Sequence, residues 1–247
     1  MANTSRSLIK NKSVITQAPP GAGKTLIAEM MISRGLVKGR TFLVLSESRK
    51  IYKQLVEQFG SIEINSNVKN LYVTPNKCYT AMAQTLKLRP AILEQFRRLG
   101  NSLVVISDEA HLNTMTPVLK ALEEAYKIGL TATPFYKFAK HLPDIYNDLI
   151  HGPQVEELIQ LGRLCDYKHI ARTRADLSIL EMRKGEYTES SQEQAFNNKS
   201  VYDGLFEDLR TVKFEKCIIF VASKKSADSL TEKLQQEGFA ATRYHSS

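Results

Sequence analysis

Cysteine is scarce in this chain, and what there is excludes two kinds of protein. The three cysteines, Cys78, Cys165 and Cys217, are odd in number and far apart. Neither a disulfide framework nor a zinc-ligand spacing is indicated, and they read as reduced thiols. Histidine is sparse too, with five in all, and only His111 lies in a motif. No stretch approaches the roughly 18 consecutive apolar residues of a membrane span, and residues 1–12 lack the apolar centre of a signal peptide. The expectation is a cytoplasmic protein with no membrane partner.

What is present describes a globular chain: 43% apolar and 24% charged residues over 247 positions, enough for one or two domains. The formal net charge of +8 suits a polyanionic partner, because lysine and arginine that neutralise phosphates release counterions. A well-solvated basic surface would give the same count, so charge alone does not decide.

Short apolar runs alternate with segments of helical period, the pattern of a parallel sheet covered by helices. The runs fall at residues 13–16, 41–45, 71–73, 102–107 and 127–130. Between the second and third, Ser48 can cap a helix whose Ile51, Leu55, Val56 and Phe59 share a face, and Gly60 can end it. A second unit is expected after Pro153, with a helix at 155–161 and a strand near 167–171. Residues 184–200 read as a polar loop or exposed helix. A helix at 202–209, a strand at 217–221, a helix at 225–236 and a strand at 240–244 follow. The predicted fold is α/β, with domains at 1–152 and 153–247.

The strongest local signal is Gln17-Ala18-Pro19-Pro20-Gly21-Ala22-Gly23-Lys24-Thr25, which follows the first run and opens a helix over 26–34. Pro20, Gly21, Ala22 and Gly23 turn the backbone so that its N–H groups face phosphates. Lys24 reaches the β and γ oxygens of ATP, and Thr25 ligates Mg2+. Ala18 stands where the general pattern has its first glycine. A glycine-rich turn before a core helix is the alternative, made poor by the complete Gly-Lys-Thr in its strand-to-helix setting.

The second signal is the apolar run at 102–107, which ends in Asp108-Glu109-Ala110-His111. Strand carboxyl ends are where α/β folds place ligands. Asp108 is suited to hold magnesium and Glu109 to orient and activate the attacking water. A solvated strand cap would also explain two carboxylates standing alone.

These two motifs, followed in order by Thr131-Ala132-Thr133-Pro134, resemble the superfamily 2 helicases and translocases of DEAD/DEAH type. The resemblance implies a RecA-like first domain, ATP hydrolysis coupled to movement on nucleic acid, and a second, partial RecA-like domain closing over the nucleotide. Thr131 and Thr133 would couple nucleotide state to the strand-binding surface, with His111 linking the acidic motif to them. Ser46 and Arg49, in a segment similar to motif Ia, and Thr74 would contact the nucleic-acid backbone. The segment from Lys216 to Ser223 resembles motif IV. Motifs V and VI, with their γ-phosphate-reaching arginines, would lie beyond Ser247, so a complementing chain is one expected partner.

Thr-Ala-Thr-Pro before Phe135 looks more like the DNA-directed restriction motors and repair helicases than the RNA DEAD-box proteins. DNA is therefore favoured over RNA as partner. An RNA helicase, and a nucleotide-binding module acting as a regulator or with a complementing chain, are the alternatives. A P-loop kinase or GTPase fits less well, since no Asn-Lys-x-Asp for guanine is found.

Overall fold

The computed structural model describes residues 2–68, 70–135, 140–169, 175–183 and 186–244. They form two compact units, Met1–Asp166 and Tyr167–Ser247. Residues 153–166 thus group with the first unit. No helix among the described residues is long and apolar enough to cross a membrane.

The first unit opens with α1 (Ala2–Asn11), β1 (Ser13–Gln17), α2 (Lys24–Val37), β2 (Thr41–Ser46) and α3 (Arg49–Phe59). It continues through β3 (Ile62–Ile64), β4 (Cys78–Met82), α4 (Ala83–Lys87), α5 (Pro90–Arg98) and β5 (Leu103–Asp108). The last elements are α6 (Thr116–Ala121), β6 (Tyr126–Thr131), β7 (Leu149–His151) and α7 (Val155–Gln160). The seven strands lie in the order β3-β4-β2-β5-β6-β1-β7, and every pairing is parallel. All their carboxyl ends therefore meet along one edge.

The strands read as continuous apolar runs because both faces are covered. Alternate residues separate into two cores. Leu43, Leu45, Val105 and Tyr79 pack with Leu86, Phe96 and Leu119 on one face. Phe42, Val44, Val104 and Ile106 pack with Leu8, Ala28, Ile32 and Leu55 on the other. Helix α3 ends as its sequence suggests: Gly60 adopts φ 53 and its N–H bonds to Glu57 O. Ser48 holds the N-cap position in extended conformation, without a side-chain capping bond.

Gly35 in α2 is required by its neighbour in β2. A Cβ there would lie 2.2 Å from Phe42 Cζ, and Phe42 is buried. Alanine gains about 1 kcal/mol of helix propensity over glycine, but forcing volume into a packed core costs about 1–3 kcal/mol. Gly35→Ala is expected to lower stability on balance. Urea unfolding should show a lower midpoint with an unchanged slope.

One expectation for this unit fails. Residues 71–73 form no strand, because the Gln95 side chain satisfies them instead: its Oε1 accepts the Val73 N–H at 2.9 Å and its Nε2 donates to Leu71 O at 2.9 Å. The sheet position beside β2 belongs to β4. In addition, β7 and α1 were not foreseen. The first is only three residues long, and the second buries just Thr4, Ser7 and Leu8, so neither carries a readable apolar period.

The second unit contains a hairpin of β8 (Met182–Arg183) and β9 (Glu186–Tyr187), then α8 (Glu189–Phe196), α9 (Lys199–Thr211) and α10 (Lys224–Gln236). The polar segment at 184–200 thus carries a helix that buries Ala195 and Ser191; Lys184 and Gly185 lie outside the described residues. Residues 167–169 form no strand, and 170–171 also lie outside the described residues. The expected strands at 217–221 and 240–244 do not form either. A parallel strand takes its ladder from a neighbour, and no described segment of this unit supplies one. Ile219, Phe239 and Ala241 still pack on Tyr202, Phe206, Leu230 and Leu234, while Ile218 and Phe220 remain 81% and 92% exposed.

Candidate functional site

Strand β1 delivers the glycine-rich turn to the carboxyl edge of the sheet. Gly21 and Gly23 adopt φ 80 and 83, conformations that a side chain resists. Gly23 is the N-cap of α2 and supplies no side-chain capping bond, so the first amides of a 14-residue helix are left to face the turn. That donor set, at the positive end of the helix, fits a phosphate group. The Lys24 Nζ donates to Ala18 O at 3.0 Å, folding back over the turn. Pro20 is exposed, and Ala22 and Thr25 are half-buried beside it. The turn is anchored by Ala18 N–H to Thr131 O at 2.9 Å and is flanked by Leu164, against which a Cβ on Gly21 would come within 2.7 Å.

Strand β5 delivers Asp108 two positions away in the sheet, with β6 between it and β1. Burial pushes the Asp108 carboxyl above its usual range, and the adjacent Glu109 charge adds to the rise. The Lys24 charge and the Glu109 N–H oppose it. A carboxylate short of compensation within reach of the Lys24 charge, at the sheet edge, fits a divalent cation. The stability contributed by such a group is present while it is protonated and is lost as pH rises through its raised folded pKa. Asp108→Asn, neutral throughout, is therefore expected to melt higher than wild type near neutral pH without nucleotide. The difference should vanish in acid. Thermal unfolding at the two conditions checks it.

From Glu109 a contiguous set of polar contacts runs across the edge. Glu109 Oε2 lies 3.4 Å from His111 Nδ1, and the same nitrogen is 2.8 Å from Thr131 Oγ1. Thr131 Oγ1 accepts the Thr133 N–H at 3.1 Å. The acidic turn and the Thr-Ala-Thr segment thus meet through one imidazole.

On the other side of the acids lies a cavity of about 280 Å³ whose lining includes Ser46, Ser48, Gln84, Asp108 and Glu109. Ser46 closes β2 and is buried, whereas Arg49 at the start of α3 is exposed. Thr74 is not brought to this edge. Its N–H donates to Tyr79 Oη at 2.7 Å, beside the second residue of β4, whereas Ser46 pairs with Met82 at that strand's far end. Sequence reasoning missed Gln84, because the strand preceding it had been placed at 71–73.

The parallel sheet with a glycine-rich turn after its first strand is that of a RecA-like domain, and the family match narrows it to a helicase-type domain of superfamily 2. Residues 2–136 match the family model described as Type III restriction enzyme, res subunit. The match takes in more than half of the chain, which belongs to this family. A 51.5 kDa protein of a Lactococcus phage (isolate 7-9) is 25% identical over 228 residues, 91% of this chain and 47% of that protein. ATP-dependent RNA helicase FAL1 of Eremothecium gossypii is 26% identical over 253 residues, 96% of this chain and 60% of that protein. The chain therefore spans about half to three-fifths of these relatives.

Two solved structures share the fold. A nuclease-deletion mutant of the Type ISP restriction-modification enzyme LlaGI, in complex with a DNA substrate mimic, superposes with TM-score 0.52 at 13% identity, over 66% of this chain and 20% of that one. The Pyrococcus furiosus Hef helicase domain gives 0.50 at 18% identity, over 96% and 53%.

Proposed function

We propose that this chain is the ATP-hydrolysing part of a DNA translocase or helicase. The observation that carries the reading is the run of contacts Glu109–His111–Thr131–Thr133, which joins the acids to a segment with no place in nucleotide chemistry itself. Lys24 would leave Ala18 O for the γ-phosphate, while the amides at the start of α2 hold the β-phosphate. Thr25 and Asp108 would hold magnesium, which when bound neutralises charge on the β- and γ-oxygens. Glu109 would accept a proton from the attacking water. A change in the Glu109–His111 contact would then be felt at Thr131 and Thr133 without further machinery.

Support for DNA comes from the restriction-enzyme family and from the DNA mimic held by the LlaGI relative; an RNA helicase among the relatives keeps RNA as an arm of the test. Arg49, with Ser46, Ser48 and Gln84 along the cavity, is the proposed backbone-contacting surface, a type of contact that positions a strand without reading its bases. Third-strand displacement from a DNA triplex tests the reading. ATP-dependent displacement that Glu109→Gln abolishes supports it. Hydrolysis stimulated by RNA alone would move the assignment to RNA.

A second reading rests on its own observation. Residues 216–221 make no backbone–backbone hydrogen bonds among the described residues, while Ile218 and Phe220 are bare. Such an unpaired apolar segment can add as a strand to a partner's sheet, as a nucleotide-binding module working with a complementing chain would need. Stimulated hydrolysis without strand displacement would favour it.

A further inference from the structure

The Asp108–Glu109 turn rests on a backbone conformation that L-residues seldom adopt. Glu109 has φ 53, in the left-handed region that non-glycine residues keep only where the surroundings hold them. Two backbone bonds fix the turn from within: the Ala110 N–H to Leu130 O at 3.0 Å and the Leu112 N–H to Glu109 O at 3.0 Å. A third support comes from a segment that the nucleotide chemistry does not use.

That segment is the short 3-10 turn Leu142–Asp144 with the residues on either side. His141 Nε2 lies 3.4 Å from Ala110 O, so the tautomer carrying hydrogen on Nε2 can donate to it. Tyr146, whose N–H bonds to Leu142 O at 2.8 Å, is buried with its ring over β6. A Cβ on Gly129 would stand 2.8 Å from Tyr146 Cζ and 3.0 Å from Ala110 Cβ. Gly129 is paired in register with Ser107, the residue before Asp108. The ring of Tyr146 and the methyl of Ala110 therefore share the notch that Gly129 leaves open. On its outer side, Tyr146 lines a cavity of about 430 Å³ together with Pro134 and Phe135, which directly follow the Thr-Ala-Thr segment.

We propose that His141 and Tyr146 are positioning residues that clamp Glu109 in its left-handed conformation, with Gly129 as the notch that admits the clamp. The inference rests on the reading of Glu109 as the group that activates water. It adds a second route from the acidic turn towards the Thr-Ala-Thr-Pro segment, through packing instead of through His111. Neither residue touches the reacting atoms; His141 acts through Ala110 O, and Tyr146 acts through packing beside Ala110 Cβ in the Gly129 notch.

The test uses the full chain with His141→Ala, Tyr146→Leu and Tyr146→Phe. A displaced catalytic group costs turnover more than binding, so the first two are expected to lower kcat about tenfold or more with KM for ATP changed less than about twofold. Tyr146→Phe, which keeps the ring in the notch, should restore most of kcat. Amide hydrogen exchange supplies a readout independent of activity. Exchange at Ala110 and Leu112 should accelerate at least about tenfold in His141→Ala and Tyr146→Leu, with Ile27 in α2 unchanged.

Wild-type protection at Ala110 and Leu112 in these variants overturns the clamp. If Tyr146→Leu does not fold, His141→Ala, at a half-buried position, carries the same comparison. A wild-type chain without ATP turnover would sink the proposed function, and the exchange comparison would still decide the clamp.

Discussion

Glu109→Gln is expected to bind Mg-ATP as tightly as the wild type and to hydrolyse it about 10² to 10⁴ times more slowly, the range over which a positioned general base acts. The carboxylate is only partly buried, with 35% of its side chain exposed, and it lies outside the glycine turn that faces the phosphates. Its loss removes the proton acceptor and leaves the cradle intact. The amide keeps the shape of the side chain and can still reach His111, so the contacts to Thr131 and Thr133 should survive. Single-turnover hydrolysis beside equilibrium nucleotide binding separates the two effects. A parallel loss of binding would show that Glu109 holds the nucleotide instead.

Lys24→Ala is expected to fail earlier. The ammonium is held 3.0 Å from Ala18 O, within the turn, so it needs only a side-chain rotation to reach a bound phosphate. Removing a preorganised donor to developing charge costs about 10² to 10³ in rate, and here the ground-state phosphate contact goes with it. Turnover should fall at least about 100-fold, and affinity for ATP should fall too. The variant should still fold, because the ammonium sits at the edge of the sheet and contributes to neither core. Titration with a fluorescent ATP analogue, alongside circular dichroism, checks both parts.

The contrast between these variants follows from where the sheet puts each residue, and much of that placement was legible. Residues 13–16, 41–45, 102–107 and 127–130 read as buried strands because both faces of β1, β2, β5 and β6 are covered. The glycine turn with Lys24-Thr25 and the Asp108-Glu109 pair were legible because each directly follows such a run, where the chain leaves the sheet. The contact between His111 and Thr131 could be expected only through resemblance, since no local period reports a pairing across 20 residues.

What could not be read has physical causes. Strand β4 was missed because residues 71–73 offered a nearer apolar run, whose backbone needs Gln95 supplies from α5. That displaced the expected strand-binding residue to Thr74 and hid Gln84. The left-handed Glu109 and its clamp were invisible because they depend on Gly129, Tyr146 and Ala110 meeting in space. In the second unit, the continuous apolar run at 217–221 read as a strand, yet it gives only the side-chain pattern and cannot provide the partner strand that a ladder needs.

Steady-state ATP hydrolysis by the purified chain tests the central claim most directly. It should be measured with magnesium, in the absence and presence of single- and double-stranded DNA and RNA, beside Lys24→Ala and Glu109→Gln. The account predicts turnover that DNA stimulates and that both substitutions abolish. Turnover that survives both substitutions, or wild-type protein that does not hydrolyse ATP, would contradict it.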